Sequence, residues 1–372
     1  MSKIKVMSVF GTRPEAIKMC PLVLKLKEDI SIESIVCVTA QHRQMLDQVL
    51  NIFGVKADID LSIMRQGQTL TTITADILAK MSDVFLNTKP NIVLVHGDTT
   101  TSFAAALSAY YHRLPVGHVE AGLRSYDMYS PYPEEINRRL TAQIAALHFA
   151  PTAGNMENLK SENIRAPIIV TGNTVIDALR VTVKKNYAFK NPLLANLNLS
   201  GKRLIMVTAH RRENLGLPME NICNAIKKVA AKYGNIVFVY PVHLNPAVQD
   251  TVFKILGNTE NIHLTDPIDV EDMHNLMARA YLVLTDSGGL QEEAPSLGVP
   301  VLVMRTETER PEAVQAGTVK VVGVKEEDIV KETCALLDDN TLYDKMANAV
   351  NPYGDGQASE RIIKAIKDWS SS

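Results

Sequence analysis

Acidic residues follow two predicted strands in the first half of the chain. Asp98 comes just after the apolar run Ile92–Val95, and Glu120 follows a second short apolar run. The carboxyl ends of successive strands share one crevice in a doubly wound sheet, so we expect these carboxylates to lie close together. Glu134 opens a later helical pattern, and Arg138 lies four residues further on the same helix face. Such a cluster suits proton transfer, although each carboxylate alone also fits a helix cap or a surface ion pair.

The turn Gly11–Lys18 has the features of an anion site. It follows an apolar strand and opens a helix, so free backbone N–H groups and the helix dipole favour a phosphate there. Arg13 and Lys18 add positive charge. The turn matches neither the P-loop pattern nor GxGxxG, which argues against an NTPase and against a dinucleotide cofactor. A turn glycine with two solvated helix charges is the alternative interpretation.

The second half repeats this arrangement. Asp286-Ser287-Gly288-Gly289 follows an apolar strand, and its glycines allow backbone N–H groups to approach an anion. A histidine next to arginines at a strand end is a good phosphate or leaving-group contact. The further candidates of this half are His210, Arg211, His243, Glu293 and Arg310. A flexible turn followed by a charged helix is the alternative here.

Composition excludes several classes of protein. The 372 residues are 46% hydrophobic and 22% charged, with a net charge of −2, so no global field attracts nucleic acid or an anionic membrane. The four cysteines form no CxxC pair and have no His partner at metal-ligand spacing, which predicts no metal site. No signal-peptide pattern or membrane-length apolar run is present, so we expect a cytoplasmic location.

Short apolar runs alternate with helical patterns almost throughout, which predicts two doubly wound α/β domains. We expect an N-terminal domain of residues 1–170 plus 354–372 and a C-terminal domain of residues 171–353. The predicted strands of the first domain are Ile4–Phe10, Ser34–Thr39, Ile92–His96, Val116–His118, Leu147–Ala150 and Ile168–Thr171. Those of the second are Arg203–Thr208, Ile236–Tyr240, Ile262–Leu264, Leu282–Thr285, Val301–Met304 and Thr318–Val322.

Taken together, the motifs resemble those of the non-hydrolysing UDP-N-acetylglucosamine 2-epimerases over essentially the whole chain. The matching segments are Phe10–Lys18, His96–Ser102, His118–Ser125, Pro133–Arg139, Thr171–Asp177, Thr208–Asn214, Asp286–Pro300 and Arg305–Ala313. The resemblance implies two Rossmann-like domains in a glycosyltransferase-B-like fold, an active site in the interdomain cleft and a homodimer. It also implies interconversion of UDP-N-acetylglucosamine and UDP-N-acetylmannosamine through 2-acetamidoglucal, without a cofactor, in the supply of cell-surface polysaccharide.

The resemblance also implies roles for individual residues. The expected acid–base and catalytic group is Asp98, Glu120, Glu134, Lys18 and His210. The expected substrate and UDP contacts are Arg13, Arg138, Ser287, Gly288, Gly289, Glu293 and Arg310.

Some members of this family bind a second substrate molecule as an activator. The matching positions are Gln41, Gln44, Glu134, Arg211 and His243. Activated members carry an Arg directly before the Gln-Thr-Leu segment, whereas this chain has Gly67 there and Arg65 two places earlier. Activation is therefore a hypothesis for this chain.

Three other functions remain open at this stage. A retaining glycosyltransferase would share the fold and the UDP site but would need an acceptor. A hydrolysing epimerase would release UDP and free N-acetylmannosamine. A nucleotide-sugar sensor would bind the ligand without needing the acid cluster.

Overall fold

The computed structural model describes residues 3–40, 43–65 and 67–371. The chain forms two compact units. The first unit consists of two segments, one that ends at Val181 and one that begins at Tyr353. The second unit comprises Thr182–Pro352. Each unit has its own sheet and its own hydrophobic core.

The first unit is built on a parallel sheet with strand order β3-β2-β1-β4-β5-β6-β7. Its strands are β1 Ile4–Phe10, β2 Ile32–Val38, β3 Ile59–Asp60, β4 Ile92–His96, β5 Val116–Val119, β6 Leu147–Ala150 and β7 Ile168–Val170. The strand order reverses between β1 and β4, and ligands of doubly wound folds bind at such a point. β4 is completely buried, as expected for a strand with helices on both faces.

Eight helices accompany this sheet within the described residues. They are α1 Arg13–Glu28, α2 Arg43–Phe53, α3 Leu70–Thr88, α4 Thr100–Tyr111, α5 Glu134–Ile144, α6 Ala153–Ser161, α7 Thr174–Thr182 and, from the end of the chain, α16 Ala358–Ser370. One core lies between the sheet, α1 and α16, where Ile362 and Ile366 of α16 are buried. A second core, which includes Ile77, Met81 and Ala105, lies on the other face under α3 and α4.

The second unit has a parallel sheet with strand order β10-β9-β8-β11-β12-β13. Its strands are β8 Arg203–Thr208, β9 Ile236–Pro241, β10 Ile262–Thr265, β11 Leu282–Thr285, β12 Val301–Val303 and β13 Val319–Val321. Its α-helices are α8 Pro192–Ala195, α9 Leu217–Lys232, α10 Pro246–Leu256, α11 Val270–Met277, α12 Leu290–Ser296, α13 Pro311–Ala316, α14 Glu326–Asp338 and α15 Asn340–Ala347. The order again reverses, here between β8 and β11.

The two doubly wound α/β sheets expected from the sequence are confirmed, with one addition. The two-residue strand β3 was missed because it is too short to show periodicity. The first unit also reaches Val181, beyond the expected boundary at residue 170. The reason is that α7 packs within it: the Asp177 carboxylate accepts hydrogen bonds from the backbone N–H groups of Ala358 and Ser359 at 3.2 and 2.8 Å.

Candidate active site

Glu15 joins two turns at the carboxyl end of the first sheet. Its buried carboxylate closes a capping box with Thr12 and accepts the backbone N–H groups of Gly11 and Thr12 at 3.0 and 2.8 Å. Its other oxygen accepts the hydroxyls of Thr99 and Ser102 at 2.5 and 3.0 Å. The anion-type turn at Gly11 is therefore attached directly to the turn that carries Asp98. The spacing Thr-x-x-Glu is itself a sequence signal for this cap.

Glu120 lies within a cluster of polar side chains that come from three other segments of the chain. Lys18 of α1 forms an ion pair with its Oε2 atom, and the side-chain amide of Asn173 donates to the same atom at 2.8 Å. Nε2 of His96, at the end of β4, is 3.8 Å away. Burial lowers the pKa of His96 to about 4 despite the attraction of Glu120, so the ring is neutral at pH 7.

The backbone around Glu120 has an uncommon conformation. Glu120 has φ 61, in the left-handed region that non-glycine residues rarely occupy. Gly122 has φ 94, and a Cβ built there would lie 2.2 Å from the backbone oxygen of Asn155. Such conformations persist where the surrounding structure holds them in place, and they are common at functional sites.

Asp98 and Arg138 form the second part of the same site. The Arg138 guanidinium is 2.7 Å from the Asp98 carboxylate and 3.6 Å from that of Glu135. The side chain of Asn137 donates to the backbone oxygen of Asp98 at 2.9 Å. Arg138 is only 11% exposed, and its ion-pair partners are Asp98 and Glu135 in place of the surface pair with Glu134 that the spacing allowed.

Burial raises the pKa of Asp98 to about 6. Arg138 opposes this shift, while the carboxylates of Glu120 and Glu134 reinforce it. Glu134 is thus close enough to raise the pKa of Asp98. The three predicted acidic residues therefore form one electrostatic cluster. A carboxyl group that titrates near neutrality is suited to proton transfer at physiological pH.

In the second unit, Asp286 acts as a buried structural acceptor. Its Oδ2 atom accepts the backbone N–H groups of His210 and Arg211, both at 2.8 Å, and the side-chain amide of Asn214 at 3.0 Å. Nδ1 of His210 lies 3.8 Å from Oδ1. Asp286 therefore positions the turn that carries His210 and Arg211.

His210 is stacked on His243, with ring centroids 5.0 Å apart and an interplanar angle of 11°. Burial lowers the pKa of His210 against the attraction of Asp286, and His243 and Arg211 lower it further. A Cβ built on Gly288 would lie 3.7 Å from a guanidinium nitrogen of Arg310 and 3.8 Å from one of Arg211. Two arginines thus lie beside the glycine turn, which makes this part of the unit suitable for an anion.

The helix that follows the glycine turn carries two further acidic residues. Glu293 lies 3.3 Å from Nε2 of His274, whose Nδ1 atom is 2.7 Å from the hydroxyl of Thr182. Glu292 is buried and forms an ion pair with Arg310. This pair fixes the guanidinium beside the turn. Local spacing carries no signal for it because the partners are eighteen positions apart.

The structure thus groups the predicted residues of each unit. Asp98, Glu120, Glu134, Lys18 and Arg138 lie together in the first, and Arg13 is exposed in the first turn of α1. His210, Arg211, His243, Gly288 and Arg310 lie together in the second, and Ser287, Gly289 and Glu293 belong to the same turn and helix. Of the predicted activator positions, Gln44 is exposed on α2 and Gln41 lies outside the described residues.

The sequence analysis did not predict the polar residues that orient the candidate site residues through hydrogen bonds and ion pairs. They are Asn137, Asn173, Glu135, Asn214, Glu292 and His274, together with the support role of Asp286. Within the described ranges, no group of three or more His, Cys, Asp or Glu side chains is arranged to hold a metal ion. In the same ranges, no helix is long and apolar enough to cross a membrane.

Two doubly wound units with polar turns at the carboxyl ends of their strands define a glycosyltransferase-B-like α/β protein. A solved structure of the glycosyltransferase of kitacinnamycin shares this fold at 10% identity, with a TM-score of 0.66 over 98% of both chains. At the level of family, the model for UDP-N-acetylglucosamine 2-epimerase matches residues 24–367. The chain belongs to this family and is accordingly an epimerase.

Similar proteins agree with this assignment. The UDP-N-acetylglucosamine 2-epimerase of Bacillus subtilis is 55% identical over 367 residues, covering 98% of this chain and 96% of that protein. The enzyme of the same name from Escherichia coli K12 is 53% identical over 371 residues, covering 98% and 99%. The crystal structure of UDP-GlcNAc 2-epimerase from Neisseria meningitidis bound to UDP-GlcNAc is 50% identical, with a TM-score of 0.88 over 98% of this chain and 100% of that one.

Proposed function

We propose that this protein interconverts UDP-N-acetylglucosamine and UDP-N-acetylmannosamine without hydrolysis, by eliminating UDP to give 2-acetamidoglucal and adding it back. The observation that carries the proposal is the placement of Asp98 and Glu120 at the ends of neighbouring parallel strands, each next to a cation. This arrangement supplies two proton-transfer groups beside positive charge. The Neisseria meningitidis relative, whose structure contains UDP-GlcNAc, supports the choice of substrate.

The order of bond changes follows from the substrate. The C2–H group has no adjacent carbonyl, so direct deprotonation would be prohibitive. When the C1–O bond breaks first, its electron pair leaves with the UDP oxygen and C1 acquires positive character, which acidifies the C2 proton. A carboxylate then takes that proton, and the C–H electron pair forms the C1=C2 double bond. Re-addition reverses these steps with a proton delivered to the other face of C2.

In this proposal the first unit performs the proton transfers. Two faces of C2 require at least two groups, which we assign to the cluster of Asp98, Glu120 and Glu134. Lys18 and Arg138 keep Glu120 and Asp98 next to positive charge, and this charge also favours the anionic pyrophosphate.

The second unit, together with Arg13, stabilises the leaving group. His210, Arg310 and Ser287 supply charge and hydrogen bonds for the pyrophosphate, and the backbone N–H groups of Gly288 and Gly289 extend this set. Glu293 accepts hydrogen bonds from the ribose hydroxyls. Interactions that strengthen as the pyrophosphate acquires charge lower the barrier to C1–O cleavage.

Proton NMR in D2O tests the proposal. The purified protein is incubated with UDP-N-acetylglucosamine alone, without metal, nicotinamide or acceptor. We expect UDP-N-acetylmannosamine to appear, with deuterium at C2 of both epimers. Free N-acetylmannosamine with UDP would instead indicate the hydrolysing reaction, and an unchanged spectrum would favour a glycosyltransferase or a nucleotide-sugar sensor.

The same proposal includes a cytoplasmic homodimer that uses no cofactor and supplies N-acetylmannosamine units for cell-surface polysaccharide. It also includes activation by a second molecule of UDP-N-acetylglucosamine through Gln41, Gln44, Glu134, Arg211 and His243. Light scattering after size exclusion measures the oligomeric state. The activation predicts faster turnover of UDP-N-acetylmannosamine when a trace of UDP-N-acetylglucosamine is added, and an unchanged rate would contradict it.

A further inference from the structure

Asn173 connects the end of β7 to Glu120. Its side chain is almost completely buried, and its Oδ1 atom accepts the backbone N–H of Val175 at 3.0 Å. A backbone N–H needs an acceptor, so this bond assigns the amide oxygen and leaves Nδ2 as the atom that faces Glu120. Nδ2 donates to Oε2 of Glu120 at 2.8 Å. The orientation of the amide is therefore fixed by the turn that carries it.

The backbone of this turn is held by the returning chain. The N–H of Asn173 donates to the backbone oxygen of Tyr353 at 2.7 Å. Gly172 has φ 87 and Gly354 has φ 116, and a Cβ on Gly354 would lie 3.1 Å from the Cα atom of Gly172. Two glycines thus allow the two segments to touch, and the segment that leads into α16 fixes the position of Asn173.

The groups that face Glu120 come from separate elements. Lys18 comes from α1, His96 from β4 and Asp98 from the turn after β4. Asn173 adds a neutral donor on the same oxygen as Lys18. A hydrogen bond donated to a carboxylate favours its ionised form and restricts its orientation. Two donors on one oxygen together fix how the carboxylate of Glu120 is presented.

We propose that Asn173 is a positioning residue for the epimerisation, which holds the carboxylate of Glu120 in its reactive orientation through a turn fixed by Tyr353 and Gly354. This inference rests on the proposed function, since it concerns the same carboxylate. It adds a functional reason for the return of the chain to the first unit. The role of Asn173 is exerted through Glu120 and not by contact with the reacting atoms.

Two substitutions test the inference. Asn173→Ser and Asn173→Asp both keep a side-chain oxygen as an acceptor for the N–H of Val175, and both remove the amide donor. Loss of a donor to a carboxylate should reduce kcat about 10- to 100-fold. In the Asp variant a second carboxylate lies beside Glu120, so the acidic limb of the pH–rate profile should move to higher pH than in the Ser variant.

The matched control is Asn198→Asp. Asn198 is exposed in the second unit, and its Oδ1 atom accepts the N–H of Ser200 at 3.0 Å, the same type of bond that Asn173 makes. We expect wild-type kcat and an unchanged pH profile for this control. Thermal unfolding of all variants separates a loss of activity from a loss of folding.

The outcomes distinguish this inference from the proposed function. A wild-type protein that does not exchange the C2 proton in D2O would overturn the proposed function, and the inference with it. An active wild type with unchanged kcat and pH profiles in both Asn173 variants would overturn the inference alone. A loss of activity that follows the fall in Tm, with an unmoved pH profile, would show a purely structural residue and would also overturn it.

Discussion

Asp98 combines burial with an ion pair, and burial has the larger effect. The Arg138 guanidinium stabilises the ionised carboxylate, yet the pKa remains raised to about 6. A partly buried acid next to the Arg138 cation and two further carboxylates therefore changes its charge near neutral pH. The raised pKa makes Asp98 suitable for proton transfer. It also means that ionised Asp98 lowers the free energy of unfolding.

We expect Asp98→Asn to change how stability depends on pH. The folded-state pKa of about 6 exceeds the ordinary aspartate value of 3.8, so the folded wild type binds the proton more tightly than the unfolded chain. This contribution is fully present below about pH 4 and is lost as the pH rises through about 6. The Asn variant lacks it, so its free energy of unfolding relative to wild type should rise by about 1–2 kcal/mol between pH 4.5 and 7.5.

The expected change is smaller than the full pKa shift would give, because 26% of the Asp98 side chain is exposed and water there weakens the penalty on its charge. Urea denaturation at the two pH values measures the difference. Asp83→Asn, at an exposed position of α3, is the control and should show no such change. A difference between the Asp98 variant and wild type that is the same at both pH values would contradict the prediction.

At the scale of elements, the site depends on the attachment of turns to one another. Glu15 joins the turns after β1 and β4 through four hydrogen bonds, and Asn173 joins the turns after β5 and β7. A parallel sheet places these turns at one edge, but it does not fix their side chains. The buried acceptors and donors do so, which explains why several of them are polar residues in otherwise apolar surroundings.

Glu15→Gln should destabilise the first unit. The carboxylate accepts from two backbone N–H groups and two hydroxyls, whereas a glutamine must direct its own amide donor at one of these pairs. We expect a loss of about 2–4 kcal/mol in the free energy of unfolding, together with a lower kcat. Glu220→Gln, an exposed first-turn acid of α9, should change stability by no more than about 0.5 kcal/mol. Equal effects of the two substitutions in denaturant titrations would refute this role of Glu15.

Gly122→Ala tests the close approach behind Glu120. The new Cβ would lie 2.2 Å from the backbone oxygen of Asn155, and φ is 94. Since backbone must move, we expect a loss of about 3 kcal/mol or more in stability. Gly201→Ala is the matched control. Its φ is 69, but nothing lies within 4 Å of a Cβ built there. The loss in the free energy of unfolding should therefore be limited to about 1 kcal/mol. Differential scanning calorimetry should give a clearly lower Tm for the first variant than for the second.

At the scale of the whole molecule, both ends of the chain build the first unit. The chain leaves it at Val181 and returns at Tyr353, and α16 then packs on α1. Asp177 accepts the first N–H groups of α16, and Lys367 pairs with Asp29 at 2.9 Å. Because Tyr353 also contacts Asn173, the segment from Tyr353 through α16 supports both the core and the candidate site of this unit.

We expect Ile366→Ala to loosen this packing. Ile366 is fully buried in the core of the first unit. Truncation to Ala leaves a cavity, which should lower the free energy of unfolding by about 2–4 kcal/mol. Hydrogen exchange monitored by mass spectrometry should show faster exchange in α1 and α16. Lys364→Ala, on the exposed side of the same helix, is the control. Protection in α1 that is unchanged by the Ile366 substitution would mean that α16 does not contribute to this core.

Local sequence patterns specify the strands and turns of this protein. Apolar runs such as Ile92–His96 and Leu282–Thr285 specify buried strands, and the glycines and polar residues directly after them specify the turns. Those turns contain Asp98, Glu120 and Ser287, so the composition of the site follows from residues next to one another in the chain. Periodicity and turn chemistry are local, and for that reason they can be read without the fold.

The partners of these residues depend on how the elements pack. Spacing allowed Arg138 to pair with Glu134, but the packing of α5 brings it to Asp98. Asp286 opens the glycine turn, and only the packing shows that its carboxylate accepts the backbone N–H groups of the turn after β8. The pairing of Asn173 with Glu120 joins positions 53 residues apart. Such contacts depend on strand order and on how far each side chain is buried, and neither quantity is encoded in local spacing.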